Sequence, residues 1–131
     1  MAAPPEQSPS LEEGSATAHR TVAIVPAFNE AASVADVVAE IHGADGAIDV
    51  VVIDDGSRDS TATAARSAGA VVVRMPFNVG IGGAVQTGYR FALENGYDIA
   101  VQVDGDGQHD ASEIAKLLKP LLAGQADMTV G

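Results

Sequence analysis

From residue 21 onward the chain alternates short, unbroken apolar runs with amphipathic stretches, and the chemically loaded residues follow the apolar runs. The runs Thr21–Pro26, Asp49–Asp54, Ala70–Arg74 and Asp98–Val103 are expected to be strands. Between them, Glu30–His42 carries Val34, Val37, Val38 and Ile41 at helical spacing. Asp59–Ala68 is an Ala-rich helix closed by Gly69. Gly80–Glu94 puts Ile81, Ala84, Val85, Gly88 and Phe91 on one face and is closed by Asn95-Gly96. A further helix is expected over Asp110–Lys119, with Asp110 and Glu113 as a capping box, and Ala126–Val130 starts a fifth strand. Strands that read as continuous apolar runs, alternating with amphipathic helices, imply an α/β fold with a mostly parallel sheet covered on both faces. Such sheets bind ligands outside the carboxyl ends of their strands. Three polar segments fall there, Pro26–Glu30, Asp54–Ser57 and Asp104–Gln108, which argues for one shared site.

Residues 1–20 are rich in Pro, Ser, Ala and Glu without periodicity and read as a disordered tail, leaving 21–131 as one domain. Eighteen acidic against seven basic residues give a net charge of −11, which argues against a nucleic-acid partner. An anionic ligand would therefore need a cation, backbone N–H groups or a helix N-terminus to hold it. There is no cysteine, so thiol and disulfide chemistry are excluded. No apolar run reaches transmembrane length, and the N-terminus lacks the basic start and apolar stretch of a secretory signal.

The sharpest segment is Val-Gln-Val-Asp-Gly-Asp-Gly-Gln-His-Asp, from Val101 to Asp110. Asp104 and Asp106 stand two apart, so on an extended chain they point the same way. Two such carboxylates repel unless a cation or proton lies between them. Mg²⁺ commonly takes one or two carboxylates plus the phosphates of a substrate, so the pair reads as half a metal site. The bland alternative is a solvated acidic loop. A calcium loop does not fit, because His109 and Ala115 occupy the positions that need Gly and Glu. His109 itself reads as a polar surface residue beside a cap.

Pro26-Ala27-Phe28-Asn29-Glu30 can be a strand stop at Pro26 and a helix cap at Asn29, which leaves Glu30 without a structural need. Asp54-Asp55-Gly56-Ser57 can be a turn, with Ser57 or Asp59 capping the next helix, although two adjacent acids exceed what a turn requires. The run Asn78-Val79-Gly80-Ile81-Gly82-Gly83 fails the phosphate-loop test, because Tyr89-Arg90 stand where Lys and Ser/Thr belong. It also fails the dinucleotide fingerprint, with Val85 in place of the third glycine. Close helix–sheet packing, with a secondary part in positioning a substrate, is the preferred reading. No serine sits in a nucleophile elbow.

In this order and spacing, Val-Ala-Ile-Val-Pro-Ala-Phe-Asn-Glu, Val-Val-Val-Ile-Asp-Asp-Gly-Ser, Asn-Val-Gly-Ile-Gly-Gly-Ala and the Asp-Gly-Asp segment resemble a family 2 glycosyltransferase. The most similar subgroup is the dolichol-phosphate mannose synthase-like enzymes, which carry sugars onto polyprenyl phosphate. The resemblance covers residues 21–131. It implies a GT-A (Rossmann-like) fold, a UDP- or GDP-sugar donor, Mg²⁺ or Mn²⁺, and usually inversion by direct attack of the acceptor. By resemblance, Pro26, Ala27, Phe28 and Glu30 frame the nucleotide, and Ile53 and Asp55 contact base or ribose. Asp104, Gly105 and Asp106 form the Asp-x-Asp motif, with Asp104 and Asp106 at the metal and Asp106 favoured as its direct ligand. Gln108 lies near the diphosphate. The metal neutralises the leaving diphosphate.

Two features depart from that pattern. Ile81 stands where many relatives have Lys, and the chain stops at Gly131, after the start of the fifth strand, where relatives continue into an acceptor half with its catalytic base. The expectation is the donor-binding half of a metal-dependent sugar transferase at the cytoplasmic face of a membrane, in peripheral association with it. Alone, the chain is expected to bind nucleotide weakly and turn over poorly. The rivals are a nucleotide-binding regulatory or remnant module and a nucleotidyltransferase, the latter disfavoured because Pro26–Glu30 is neither Gly-rich nor basic.

Overall fold

A computed structural model describes residues 20–106. The expected N-terminal tail, Gln108, the helix over Asp110–Lys119 and the strand over Ala126–Val130 lie outside the described residues. Seven elements alternate along the chain: β1 (Thr21–Ala27), α1 (Val34–Ala44), β2 (Asp49–Asp54), α2 (Thr61–Ser67), β3 (Val71–Arg74), α3 (Ile81–Glu94) and β4 (Ile99–Gln102). Among the described residues the strands form one parallel sheet in the order β3-β2-β1-β4.

The pleat sorts the apolar residues onto two faces. Ala23, Val25 and Ala27 of β1 and Val50 and Val52 of β2 pack with Val34, Val37, Val38 and Ile41 of α1 and Ala65 of α2. Their neighbours Val22, Ile24, Val51 and Ile53 turn the other way, onto Ala84 and Ala92 of α3. Every residue of β1 is buried, which explains why its sequence reads as an unbroken apolar run. On the α3 face the packing is close. A methyl group on Gly88 would stand 2.3 Å from Ile24 Cγ2, so only glycine lets the helix axis lie this near the sheet.

The expected strands and helices are all present over the described residues, with ends displaced by a few positions. Glu30–Ser33 forms a turn, not the first turn of α1. Pro26 does not end β1. Its ladder with β2 runs on through Ala27, opposite Asp54, while the ladder with β4 has stopped at Ile24, opposite Gln102. Ile24 bonds toward β4, since its carbonyl accepts the Val103 N–H, and Ala27 bonds toward β2, since its carbonyl accepts the Asp55 N–H. Pro26 shares the parity of Ile24, so its missing N–H falls on the side where β4 has already ended and no ladder bond is lost.

Strand order reverses between β1 and β4, because β1, β2 and β3 step in one direction and β4 adds on the opposite side of β1. In open parallel sheets this reversal point is where ligands bind.

Candidate functional site

At the carboxyl edge the loops are fastened to one another. Asp55 donates its backbone N–H to the Ala27 carbonyl at 2.9 Å, which joins the ends of β2 and β1. Its carboxylate reaches the start of α3, where Oδ1 accepts the N–H of Val79 at 2.8 Å and Oδ2 that of Gly80 at 2.9 Å. The Asn78 side-chain amide donates back to the Asp55 carbonyl at 3.3 Å. Gly56, at φ +79°, lets the chain pass beside this loop, since a Cβ there would lie 2.7 Å from the Asn78 nitrogen.

Asn29 has a left-handed backbone at φ 54° and braces two loops, in place of the helix cap expected of it. Its N–H donates to Ser57 Oγ at 2.8 Å, and its Oδ1 accepts the Arg58 N–H at 2.9 Å. Asp59 does serve the start of α2, as expected. Its Oδ1 accepts the Thr61 N–H at 3.0 Å and the Thr61 hydroxyl, and Oδ2 accepts the Ala31 N–H at 3.2 Å. These bonds hold the Asp59 carboxyl below its ordinary range. Asp54 is fully buried; Oδ1 accepts the Ser57 N–H at 2.9 Å, while Oδ2 makes no hydrogen bond and faces Arg74 Nε at 3.5 Å. Arg74 also donates to the Ser57 carbonyl, tying β3 to the same turn.

The Asp-Gly-Asp segment reaches this edge from β4. The extended chain ends before it, with Gly105 and Asp106 in a turn, so the two carboxylates are displayed by a turn and not by the pleat of a strand. Gly105 is buried against β1; an added Cβ would stand 2.9 Å from the Pro26 oxygen and 3.3 Å from Ala27 Cβ and Val25 Cγ1. The Ser33 hydroxyl holds the Gly105 carbonyl at 2.9 Å. Glycine between the acids therefore has a steric reason. The segment must cross the end of the central strand at backbone distance to present Asp104, half-buried, and Asp106, exposed.

Glu30 registers the result. Partial burial and then the nearby carboxylates of Asp106 and Asp59 push its carboxyl above the ordinary value. Negative potential thus accumulates where the β1 and β4 loops meet, and a hard cation would relieve it. Among the described residues no cluster of three or more His, Cys, Asp and Glu side chains forms a protein cage for a metal. The carboxylates present fit a Mg²⁺- or Mn²⁺-type ion that takes its other ligands from water and phosphate.

Between these loops lies a cavity of about 280 Å³ lined by Pro26, Ala27, Phe28, Glu30, Asp55, Asn78, Gly80, Ile81 and Ala84. Pro26, Ala27, Phe28, Glu30 and Asp55 thus share a single cavity, and Gly105, between Asp104 and Asp106, packs on two of its lining residues, Pro26 and Ala27. Ile53 stands apart; its side chain is fully buried against α3 and does not line the cavity. Asn78, Gly80, Ile81 and Ala84, from the Gly-rich run and the start of α3, complete the lining, in keeping with a part for that run in positioning a ligand. Ser33 was missed entirely, because a serine that holds a carbonyl 72 positions away leaves no local pattern.

Comparison with known proteins accords with this geometry. The family model described as glycosyl transferase family 2 matches residues 22–131. The chain is 31% identical over 140 residues to polyprenol monophosphomannose synthase of Mycolicibacterium smegmatis, covering all of this chain and 52% of that protein. It is 33% identical over 117 residues to undecaprenyl-phosphate mannosyltransferase of Micrococcus luteus, covering 86% of this chain and 47% of the relative. Among solved structures, glucosyl-3-phosphoglycerate synthase from Mycobacterium tuberculosis, in complex with Mn²⁺, UDP and glucosyl-3-phosphoglycerate, superposes with a TM-score of 0.66 at 30% identity. That match covers 84% of this chain and 42% of the other. The chain spans about half the length of the curated relatives it matches. A parallel α/β sheet, loops gathered at its carboxyl edge and a match over residues 22–131 together make this chain a member of glycosyl transferase family 2, with the GT-A fold of its structural relatives.

Proposed function

We propose that the chain holds the donor-binding half of a metal-dependent transferase that moves a sugar from a nucleoside-diphosphate sugar to a polyprenyl-phosphate acceptor. The observation that carries the reading is the junction of the cavity with the Asp104–Asp106 turn. Pro26, Ala27, Phe28 and Glu30 frame the nucleotide from one wall, and Asp55, Asn78 and Gly80 from the other. Asp104 and Asp106 hold Mg²⁺ or Mn²⁺ at the diphosphate, with Gln108 nearby. The metal, when bound, supplies charge neutralisation to the departing diphosphate. The chain's own part is to bind and orient. The cavity receives the nucleotide, and Gly105, packed on Pro26 and held by Ser33, sets the acids relative to the β1 loop. Glu30 adds negative potential that strengthens the attraction for the ion.

The acceptor class follows from similarity to a polyprenol monophosphomannose synthase and an undecaprenyl-phosphate mannosyltransferase. No helix among the described residues is long and apolar enough to cross a membrane. Peripheral association at the cytoplasmic face would suit a polyprenyl-phosphate acceptor.

The test is a thermal melt with UDP, GDP, UDP-glucose and GDP-mannose, each with and without Mg²⁺ or Mn²⁺, on the wild type and on Asp106→Ala. A ligand at about 100 times its Kd adds roughly 2.7 kcal/mol, a readily visible shift. A metal-dependent shift with one nucleotide, lost in Asp106→Ala, supports the reading and names the base. A cooperative melt that no nucleotide moves would favour a module without donor binding.

A further inference from the structure

The chain leaves β1 and enters the rim of the donor cavity through one unusual residue. Among the described residues Asn29 alone, apart from glycines, has a positive φ, at 54°. L residues resist this left-handed region because Cβ there crowds the following carbonyl, and asparagine resists it less than most. Phe28 before it and Glu30 after it both line the donor cavity, whereas Asn29 does not. The bend that sends both neighbours to one cavity therefore falls on a residue outside it.

What holds Asn29 in this conformation comes from the segment that follows β2. Three successive backbone N–H groups donate to its side chains: Asn29 to Ser57 Oγ at 2.8 Å, Glu30 to Thr61 Oγ1 at 3.0 Å and Ala31 to Asp59 Oδ2 at 3.2 Å. The Asn29 side chain returns the contact, its Oδ1 accepting the Arg58 N–H at 2.9 Å. Ser57 is itself buried and fixed, with its N–H on Asp54 and its carbonyl accepting from Arg74. A right-handed backbone at position 29 would re-aim the two peptide groups that flank it, so the Asn29 and Glu30 N–H groups could no longer both face their acceptors.

We propose that Asn29 is a positioning residue for donor binding: its left-handed backbone, kept by Ser57 Oγ and by its own Oδ1 on Arg58, brings Phe28 and Glu30 to the same cavity. It acts on the nucleotide through those neighbours. The proposal rests on the donor-site reading above, but its first test needs no ligand. Glycine adopts the left-handed backbone without strain and alanine resists it, while both lack the amide, so the pair separates backbone from side chain.

The full chain labelled with 4-fluorophenylalanine carries three fluorines, since Phe28, Phe77 and Phe91 are its only phenylalanines. Phe28 reports the cavity wall, and Phe91, stacked on Tyr97, serves as the reference. In Asn29→Ala the Phe28 resonance should move from its wild-type position, and in Asn29→Gly it should return most of the way, with Phe91 unmoved in both. An unmoved Phe28 resonance in Asn29→Ala, equal displacement in the two variants, or a matching displacement of Phe91 would overturn the proposal. Should Asn29→Ala not fold, Asn29→Gly decides alone: a folded chain with Phe28 near its wild-type position supports the proposal, and loss of either overturns it.

The second arm measures affinity for whichever of UDP or GDP binds in the presence of Mg²⁺. Positioning predicts that Asn29→Ala weakens binding by about tenfold and Asn29→Gly by about threefold or less. Direct contact between the Asn29 amide and the nucleotide predicts equal losses, because both variants lack the amide, and that result would overturn the proposal. Should no nucleotide bind the wild type, the donor-site reading fails, and the fluorine spectra still decide whether Asn29 sets the wall.

Discussion

The Ser33 hydroxyl donates to the carbonyl of Gly105 at 2.9 Å, so the turn that precedes α1 holds the backbone between the two acids of the Asp-Gly-Asp segment. Gly105 also lies so close to Pro26 that a side chain has no room. A hydrogen bond from Ser33 and close contact with Pro26 thus both act on the backbone that carries the two acids.

Gly105→Ala should lower stability by about 1–3 kcal/mol, the usual cost of overpacking against a buried strand. It should also weaken any metal-dependent nucleotide response more than a remote substitution of equal cost. Ser33→Ala removes only the hydrogen bond and should cost about 0.5–1.5 kcal/mol. Urea unfolding of both variants, paired with nucleotide melts in Mg²⁺, checks the order; a fully stable Gly105→Ala would mean that the turn can move off β1.

Glu30 offers a pH test. Its folded-state carboxyl titrates above the ordinary value because burial and the Asp106 and Asp59 carboxylates disfavour its charge. The stability tied to the protonated form is present below the unfolded value of 4.5 and is lost as pH rises through the folded value. Glu30→Gln should therefore melt higher than the wild type at neutral pH in the absence of divalent ions, and the gap should close at low pH. Added Mg²⁺ should narrow it too, by stabilising the wild type. Coincident melts at every pH would remove Glu30 from the acidic cluster.

The tyrosines provide a second titration. Burial raises both phenols, and for Tyr97 the hydrogen bond its hydroxyl donates to Asp49 at 2.6 Å adds to the effect. Tyr89 and Tyr97 are the only tyrosines, and the chain has no tryptophan, so near-ultraviolet phenolate absorbance reads them directly. The native chain should titrate above 10.0 and the urea-unfolded chain at it. The associated stability is intact below the unfolded value and is lost as pH rises through the folded one. Tyr97→Phe should leave one raised titration in place of two.

Gly88→Ala tests the α3 face. The added methyl would meet Ile24 Cγ2 at 2.3 Å in the middle of the sheet, and a loss of about 1–3 kcal/mol is expected although alanine is the better helix former. Ile24→Ala alone should cost about 2–5 kcal/mol by leaving a cavity. The double variant should be more stable than the sum of the two predicts, because each change relieves the other. Strict additivity of the unfolding free energies would mean that α3 simply lifts away.

Much of this was legible because burial on both faces of a parallel sheet leaves an unmistakable record. Val22–Ala27 and Val50–Ile53 are apolar throughout since neither face meets water there. Helical spacing in Val34, Val37, Val38 and Ile41 likewise marked the face that α1 buries. The ends were less legible, because they depend on partners distant in sequence. Pro26 looks like a strand stop until its ladder partner β4 is known to end two residues earlier, on the side its nitrogen faces. Asp104 and Asp106 look like strand residues of one parity until Gly105 is seen turning over β1. The engagement of Asp55 with Val79 and Gly80 links positions 24 and 25 residues apart. A sequence motif can mark such an acid as important without saying which of its neighbours it serves.

The strand order also sets a timetable for the nascent chain. β1, β2 and β3 can assemble as soon as they leave the ribosome, but the second edge of β1 waits for β4, which follows only after all of α3. At roughly 5–20 residues per second that interval is on the order of seconds. Throughout it, the open side of the buried strand β1 is available to any other extended chain. Chaperone capture, or pairing with a neighbouring polysome product, competes with β4 for that place beside β1.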